Sequence, residues 1–334
     1  MAPLSRRKFI GLASVGVCAW PASVAAASAV LAGSASAGSA SAGSALAASA
    51  SAASASAGKA RAYARKVGLQ LYSVRDEMNR DAAGTLRKLK EIGYRQVEHA
   101  GYWQGKFYGY PAKDFAKLLD DIGLEMPSGH VAIQATDYND GSKEFSAGWR
   151  EALESAAAAG QKYLITPGFP EPWRKDKDTV LRYLEVFNSC GAFCKTFGVK
   201  FGYHNHTMEF DRIFDGASLY ELILQHTDAS LVALQLDVGL LYAAGVSPQA
   251  MISQHPGRFE LMHVKDEFRK PGGGERGQGY ESTVLGSGEL KLAEIVRMGR
   301  KTGGVRYFFV EQETFGDLAE LECARRDYQY MKKL

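Results

Sequence analysis

Residues 231–237 read LVALQLD, an apolar run that ends in the carboxylate of Asp237. Three other runs have the same form: KFGYHNH at 200–206, FELMHVKD at 259–266 and VRYFFVE at 305–311. These runs carry His204, His263 and Glu311, respectively. Each run is followed by a turn or a helix-like segment, which is how a parallel barrel brings side chains to one mouth. Two imidazoles and two carboxylates predict a site for one divalent ion of the Mn, Co, Zn or Fe(II) kind.

The alternation of strand-like and helix-like segments extends over residues 65–334, which is the usual size of a TIM barrel. The eight predicted strands span 67–74, 94–100, 124–131, 162–167, 199–206, 231–237, 259–265 and 305–311. The first helix is predicted at 82–92, and glycines end several of the helices. Alternating units predict a parallel sheet, and eight of them predict closure into a (β/α)8 barrel. A doubly wound open sheet is the alternative, although no G-x-G-x-x-G follows the first strand.

The first 58 residues differ from the rest in composition. Their charged side chains are all basic and fall within the motif SRRKFI at residues 5–10, ahead of an apolar stretch. This order resembles the twin-arginine export signal. We therefore assign residues 1–32 to a signal peptide and residues 33–64, rich in Ala, Ser and Gly, to a disordered linker. A plain membrane anchor, an ordinary secretory signal and a lipoprotein signal at Cys18 are the alternatives.

The export signal predicts a periplasmic protein that the twin-arginine translocase carries across the membrane. The chain has a formal net charge of +3, and the charge lies in the signal, so the remainder is about neutral. Neutrality argues against a nucleic-acid partner, and no stable membrane association is expected after signal cleavage. Self-association into a homo-oligomer stays open. Cys190, Cys194 and Cys323 have spacings that predict core thiols and not a disulfide framework.

Alternate residues of a strand share a face, so His206 joins His204, and Lys265 joins His263, at the predicted mouth. We expect the catalytic base among Glu311, Glu209 and His206, because each can accept a proton near the ion. Lys265 is expected to hold a substrate oxygen or the developing oxyanion. The ordinary alternatives are a helix-start or loop carboxylate for Glu209 and a salt bridge with Asp266 or Glu98 for Lys265.

Three residues from the first half of the chain are candidates for substrate binding. Glu98 and His130 end the second and third predicted strands, where they would bind hydroxyl groups. Trp103 follows the second strand, and an aromatic face can pack against a sugar ring, although ordinary packing is the alternative. The glycine-rich segment 270–288 is predicted to be a mobile loop near the mouth, either a lid or a passive surface loop.

These segments together resemble the sugar phosphate isomerase/epimerase family of xylose isomerase-like TIM barrels. The resemblance rests on GLQLYSVRDEM (68–78), YRQVEHAG (94–101), SGHV (128–131), YHNHTMEF (203–210), QLDVGLLYAAG (235–245), MHVKDEF (262–268), LGSGELKLAEIV (285–296) and FFVEQE (308–313). It implies one divalent metal, often Mn, Co, Mg or Zn, and a carbohydrate substrate. It also implies that Asp237, His263 and Glu311 are metal ligands. The fifth-strand ligand of the family is usually a glutamate, and here that position holds His204.

The resemblance implies an isomerase or epimerase that removes the proton alpha to a metal-bound carbonyl of a sugar or keto sugar, through an enediolate. His204 puts a two-carboxylate proton shuttle in doubt. A metal-dependent lyase or hydratase on a 3-keto-glycoside or cyclic polyol is therefore the alternative. A hydrolytic nuclease is disfavoured by the neutral charge, and a non-catalytic sugar receptor by the intact ligand set. The export signal favours an unphosphorylated substrate.

Overall fold

A computed structural model describes residues 66–272 and 279–334. The barrel strands are β1 Val67–Gln70, β2 Gln96–His99, β3 Glu125–His130, β4 Tyr163–Thr166, β5 Lys200–His204, β6 Val232–Asp237, β7 Phe259–Val264 and β8 Tyr307–Val310. They form a closed barrel in the order β1-β8-β7-β6-β5-β4-β3-β2. Every neighbouring pair is parallel. The predicted (β/α)8 TIM barrel is therefore confirmed.

Helices connect the strands and cover the outside of the barrel. They are α1 Arg75–Ile92, α2 Ala112–Ile122, α3 Ala147–Ala158, α4 Lys177–Lys195, α5 Leu219–His226, α6 Val238–Ala243, α7 Pro248–Gln254, α8 Leu292–Met298 and α9 Glu320–Met331. Polar residues cap several of their first turns, as Asp176 does by accepting a hydrogen bond from the backbone N–H of Thr179. Within the described residues, none of these helices combines the length and apolarity needed to cross a bilayer.

The interior of the barrel is filled below its polar mouth by a small apolar cluster. Its members are Tyr163, Ile165, Ala233, Leu261, Tyr307 and Phe309. A Cβ atom on Gly68 of β1 would lie 2.4 Å from Cδ1 of Phe309, so glycine leaves the space that this ring occupies. A larger apolar cluster fills the layer between strands and helices, and Cys190, Cys194 and Cys323 are buried free thiols. The filled interior leaves polar side chains only one place to gather, the carboxyl ends of the strands.

The start of the barrel differs from the sequence prediction. The first strand was predicted to run to Val74, but β1 ends at Gln70 and Leu71–Val74 form a 3-10 turn. The side chain of Gln70 accepts a hydrogen bond from the backbone N–H of Tyr72, which favours the turn. The helix predicted from residue 82 follows a break in α1 at Asp81, whose backbone is not helical and whose side chain accepts a hydrogen bond from the backbone N–H of Gly84. The turns before this break, from Arg75, were not predicted; there the distant carboxylate of Glu320 accepts hydrogen bonds from the first N–H groups.

The glycine-rich segment is also more ordered than predicted. Asp266–Arg269 pair antiparallel with Tyr280–Thr283, and Leu285 is buried beyond this hairpin. The carboxylate of Asp266 accepts hydrogen bonds from the backbone of Gly286, Gly288 and Leu290, an arrangement that local composition does not reveal.

Parts of the sequence prediction lie outside the described residues. They are the signal at 1–32, the linker at 33–64, the predicted domain start at residue 65 and residues 273–278 of the glycine-rich segment. The domain boundaries therefore stay a prediction.

Candidate metal centre

Four side chains from consecutive strands meet at the carboxyl end of the barrel. They are His204 on β5, Asp237 on β6, His263 on β7 and Glu311 directly after β8. One potential ligand atom from each lies within 4.8 Å of those from the others, and all four residues are buried. The structure thus brings together the residues that the strand ends predicted to share an ion.

The hydrogen bonding of the Asp237 carboxylate is incomplete, as expected for a ligand of a cation. Its Oδ1 accepts a hydrogen bond from the backbone N–H of Leu240 at 2.8 Å and so caps α6. Its Oδ2 is buried and has no hydrogen-bond partner among the described residues. This oxygen lies 3.8 Å from Nδ1 of His263 and 3.3 Å from Nζ of Lys265. A buried carboxylate oxygen without a hydrogen bond is costly, and ligation of a cation would remove that cost.

Lys265 places its ammonium group against the same carboxylates. Its Nζ lies 3.1 Å from Oε2 of Glu311 and 2.6 Å from Oε1 of Glu313, and the side chain is almost fully buried. Burial opposes the charged form, but Asp237, Glu311 and Glu313 outweigh it and raise the pKa of Lys265 well above its ordinary value. The site therefore holds a fixed positive charge beside its acidic ligands.

The candidate ligands differ in charge before any ion binds. Burial raises the pKa of Glu311, but Lys265 and His263 outweigh it and hold this pKa well below its usual range. Burial lowers the pKa of His263, but Glu311 and Glu98 raise it to about 10 overall. Burial and the neighbouring imidazoles lower the pKa of His204, which is therefore neutral. Because a metal ligand must present a lone pair, an ion would displace a proton from His263.

Glu98, predicted to bind substrate hydroxyls, instead lies fully buried beneath the four-residue cluster. Burial opposes its ionisation, but His130 and His263 hold the pKa of Glu98 well below its ordinary value. Its Oε2 lies 2.5 Å from Nε2 of His263, and its Oε1 accepts a hydrogen bond from Nε2 of Gln235 at 2.7 Å. Protein donors thus face both of its oxygens, and hydroxyl binding by Glu98 stays a prediction.

His130 and Trp103, the other predicted substrate contacts, occupy different positions. Nε2 of His130 lies 2.7 Å from Oε1 of Gln235, and its ring stacks on that of His263 with centroids 5.3 Å apart. His130 also forms a second group of close ligand atoms with His204 and His263. Trp103 is 70% exposed on a short ribbon after β2. Substrate contact by Trp103 stays a prediction.

The predicted base candidates His206 and Glu209 form a pair beside the cluster. The ring centroid of His206 lies 5.1 Å from that of His204, and its side chain is 44% exposed. Glu209 is buried, accepts a hydrogen bond from Tyr203 Oη at 2.6 Å, and lies 3.8 Å from Nδ1 of His206. Burial lowers the pKa of His206, but Glu209 outweighs it and raises this pKa. His206 thus faces solvent at the mouth, with an acidic side chain behind it.

Several polar residues of the site were missed by sequence reasoning. They are Gln70, Ser128, Gln235 and Glu313. Gln235 lies two residues before Asp237 and Glu313 two residues after Glu311, so the period-2 alternation of strands could have indicated both.

Comparison with known proteins places this site in a family. The xylose isomerase-like TIM barrel family matches residues 86–334. The chain belongs to this family. A solved sugar phosphate isomerase/epimerase from Parabacteroides distasonis ATCC 8503 is 28% identical, with a TM-score of 0.69, and the match covers 80% of this chain and 93% of that one.

Two more distant relatives are informative. The IOLI protein, solved with a bound zinc atom, shares the fold at 15% identity and a TM-score of 0.60, covering 79% of this chain and 95% of that one. The inosose dehydratase of Geobacillus kaustophilus (strain HTA426) is 21% identical over 197 residues, which is 54% of this chain. The chain spans 60% of the length of that dehydratase.

Proposed function

We propose that this xylose isomerase-like barrel is a divalent-metal-dependent isomerase or epimerase of a sugar or keto sugar. The observation that carries the proposal is the convergence of His204, Asp237, His263 and Glu311, with Oδ2 of Asp237 buried and lacking a hydrogen bond. Two nitrogen and two oxygen donors suit Mn, Co, Zn or Fe(II), and Mg is the harder alternative. The zinc atom bound by the IOLI protein, which shares this fold, supports a metal-binding role.

A bound divalent ion would supply a Lewis acid that polarises a carbonyl and makes the neighbouring C–H acidic. Glu311 is the proton acceptor on the β8 side, because its lowered pKa keeps it ionised. The buried ammonium of Lys265 lies beside Glu311 and stabilises negative charge that develops on a substrate oxygen.

The proton carrier on the β5 side is His206. It lies two residues beyond His204, past the end of β5, with its ring near that of His204 and its side chain 44% exposed. Glu209 stands behind it and is fixed by Tyr203. Return of a proton from this side to the carbon that lost one would invert its configuration, whereas return to the neighbouring carbon would exchange aldose and ketose.

The second candidate function is a carbon–oxygen lyase acting on a 3-keto-glycoside or a cyclic polyol. The observation that favours it is His204 at the fifth-strand position, which leaves Glu311 without a second carboxylate ligand opposite. One base is sufficient for elimination, which needs no proton returned to the opposite face. The similarity to an inosose dehydratase supports this candidate.

Hydrogen exchange in heavy water tests the proposal. The purified protein is freed of metal, supplied singly with Mn, Co, Zn or Mg, and given unphosphorylated ketohexoses, an inosose and a 3-keto-glucoside. We expect deuterium at the carbon alpha to the carbonyl and a new isomer, both abolished by a chelator. A lyase would instead give an unsaturated product with new ultraviolet absorbance. A protein that binds an ion yet exchanges no alpha hydrogen with any of these compounds contradicts both candidates.

A further inference from the structure

Glu98 receives hydrogen bonds from four described side chains, two on each carboxylate oxygen. Oε2 accepts from Nε2 of Gln70 at 2.9 Å and lies 2.5 Å from Nε2 of His263. Oε1 accepts from Oγ of Ser128 at 2.5 Å and from Nε2 of Gln235 at 2.7 Å. A carboxylate in this environment only accepts, so every group facing it must present a hydrogen.

This polarity fixes the orientation of Gln235. Because its NH2 group faces Glu98, its Oε1 faces Nδ1 of His204 at 3.1 Å and Nε2 of His130 at 2.7 Å. An amide oxygen accepts only, so both of these ring nitrogens must carry a hydrogen. With Nδ1 of His204 protonated, its Nε2 keeps the lone pair that a metal ion needs.

The other oxygen of Glu98 fixes His263 directly. Nε2 of His263 must carry the hydrogen that faces Glu98, which leaves Nδ1 as the nitrogen available to an ion. Nδ1 is also the nitrogen that faces the other candidate ligands, at 3.0 Å from Oε2 of Glu311. The carboxylate of Glu98 therefore determines, for both histidines of the candidate centre, which ring nitrogen is free to bind an ion.

We propose that Glu98 is a positioning residue that sets, through its own contact and through Gln235, which nitrogen of His263 and of His204 can bind an ion. It is not one of the four candidate ligands; it contacts His263 on the ring nitrogen that faces away from Glu311, and it acts by hydrogen-bond polarity. The inference rests on the proposed metal centre for its consequence and for the tautomer of His263, but the tautomer that it assigns to neutral His204 is a property of the protein alone.

Replacement by glutamine shows why a carboxylate is needed. Glu98→Gln keeps the size of the side chain but offers one oxygen and one NH2 group. The NH2 group must face either His263 and Gln70 or Gln235 and Ser128. Gln70 cannot reverse, because its Oε1 accepts from the backbone N–H of Tyr72. If the new NH2 group faces His263, Nε2 of His263 must accept a hydrogen bond and cannot carry the hydrogen. If it faces Gln235, the amide of Gln235 must reverse, and the hydrogen of His204 moves from Nδ1 to Nε2.

The test is 15N nuclear magnetic resonance of protein labelled at histidine, with and without zinc, together with zinc affinity from competition titration. In the wild type we expect hydrogen on Nδ1 of His204 with and without zinc. For His263 we expect hydrogen on both nitrogens without zinc and on Nε2 alone with zinc. In Glu98→Gln we expect one of these assignments to reverse and zinc affinity to fall about 10–100-fold, as for loss of an outer-shell partner. Glu322→Gln is the matched control, because it makes the same substitution at a surface carboxylate of α9, and we expect wild-type tautomers and affinity.

A second variant separates the effect of Glu98 on His204, which passes through Gln235, from its direct effect on His263. Gln235→Met removes the acceptor that His204 and His130 share and leaves the contact between Glu98 and His263. His204 should therefore lose its assigned tautomer, whereas His263 should keep hydrogen on Nε2 with zinc bound. If Glu98→Gln does not fold, this variant carries the test. A folded Glu98→Gln or Gln235→Met protein with wild-type tautomers and wild-type zinc affinity overturns the inference. A wild type that binds none of the ions but shows the assigned His204 tautomer contradicts the proposed function and supports this inference.

Discussion

Nζ of Lys265 lies 3.3 Å from Oδ2 of Asp237, and both side chains are almost completely removed from solvent. The ammonium group and a divalent ion would thus be attracted by the same carboxylate oxygen. In metal-free protein the ammonium group of Lys265 partly neutralises the buried carboxylates. In metal-loaded protein the bound ion would also neutralise them. The stability of the barrel and its metal content should therefore be coupled through this residue.

The first prediction is that Lys265→Met destabilises the metal-free protein more than the metal-loaded protein. Removing one partner of a buried ion pair costs about 3–5 kcal/mol, and a bound ion would compensate part of that cost. Urea unfolding in chelator and in excess zinc measures the difference. Lys117→Met, which alters an exposed ion pair with Asp121, is the control and should unfold as the wild type does. Equal losses with and without zinc would contradict the coupling.

The second prediction concerns the ligands themselves. Asp237→Ala and His263→Ala should each lose bound metal and alpha-hydrogen exchange, because each removes a ligand atom from the cluster. We expect affinity losses beyond the roughly 10–100-fold typical of outer-shell changes. Elemental analysis of purified protein gives the metal content, and circular dichroism checks the fold. His226→Ala, at an exposed histidine of α5, is the control. Wild-type metal content in both ligand variants would rule out this centre.

The barrel and the four-residue cluster could be predicted from the sequence because both follow from local patterns. Apolar strands that end in polar residues place those residues at one mouth once the sheet closes. The role of Glu98 could not be predicted, because its contacts with His263 and Gln235 join residues 165 and 137 positions apart. These contacts exist only across the closed barrel. The helical turns from Arg75 to the break at Asp81 were missed for the same reason, since their cap comes from α9.

The third prediction tests that long-range cap. The carboxylate of Glu320 accepts hydrogen bonds from the backbone N–H groups of Asp76 and Glu77, so it joins α9 to the start of α1. Glu320→Ala should lower the free energy of unfolding by about 0.5–2 kcal/mol, as for other N-terminal caps, and leave metal binding unchanged. Chemical denaturation measures the loss. Glu322→Ala, on the same helix with partners only on the surface, should show little effect; a larger loss there would contradict the cap.

The fourth prediction concerns export. If residues 5–10 form a twin-arginine signal, replacing both Arg6 and Arg7 by lysine should retain the precursor in the cytoplasm, because the translocase recognises the arginine pair. Cell fractionation with an antibody against the barrel measures the distribution. Replacement of Lys8 by arginine keeps the charge and the pair, and it should leave export unchanged. Equal periplasmic yield of the double variant and the wild type would favour an ordinary secretory signal.

The fifth prediction is an acid sensitivity that arises at His99. Its ring is fully buried, contacts Phe107 with centroids 4.6 Å apart, and occupies the space where a Cβ on Gly129 would lie. Neither ring nitrogen has a hydrogen-bond partner among the described residues. Burial, with a smaller contribution from His130, lowers the pKa of His99 to about 3. The imidazole is therefore neutral in the folded protein well below its ordinary titration range.

The sign of the pH dependence follows from the difference between folded and unfolded pKa values. Unfolded His99 takes up a proton near pH 6.5, but folded His99 does not until about pH 3. The unfolded state thus binds more protons between these values, and stability falls as the pH falls through this window, by up to about 1.4 kcal/mol per pH unit. His99→Phe should remove this contribution, so its stability relative to wild type should rise steadily as the pH is lowered below about 6.5. Urea unfolding of both proteins between pH 7 and pH 4 measures the difference, and parallel curves would show that the ring is protonated or hydrogen-bonded in the folded barrel.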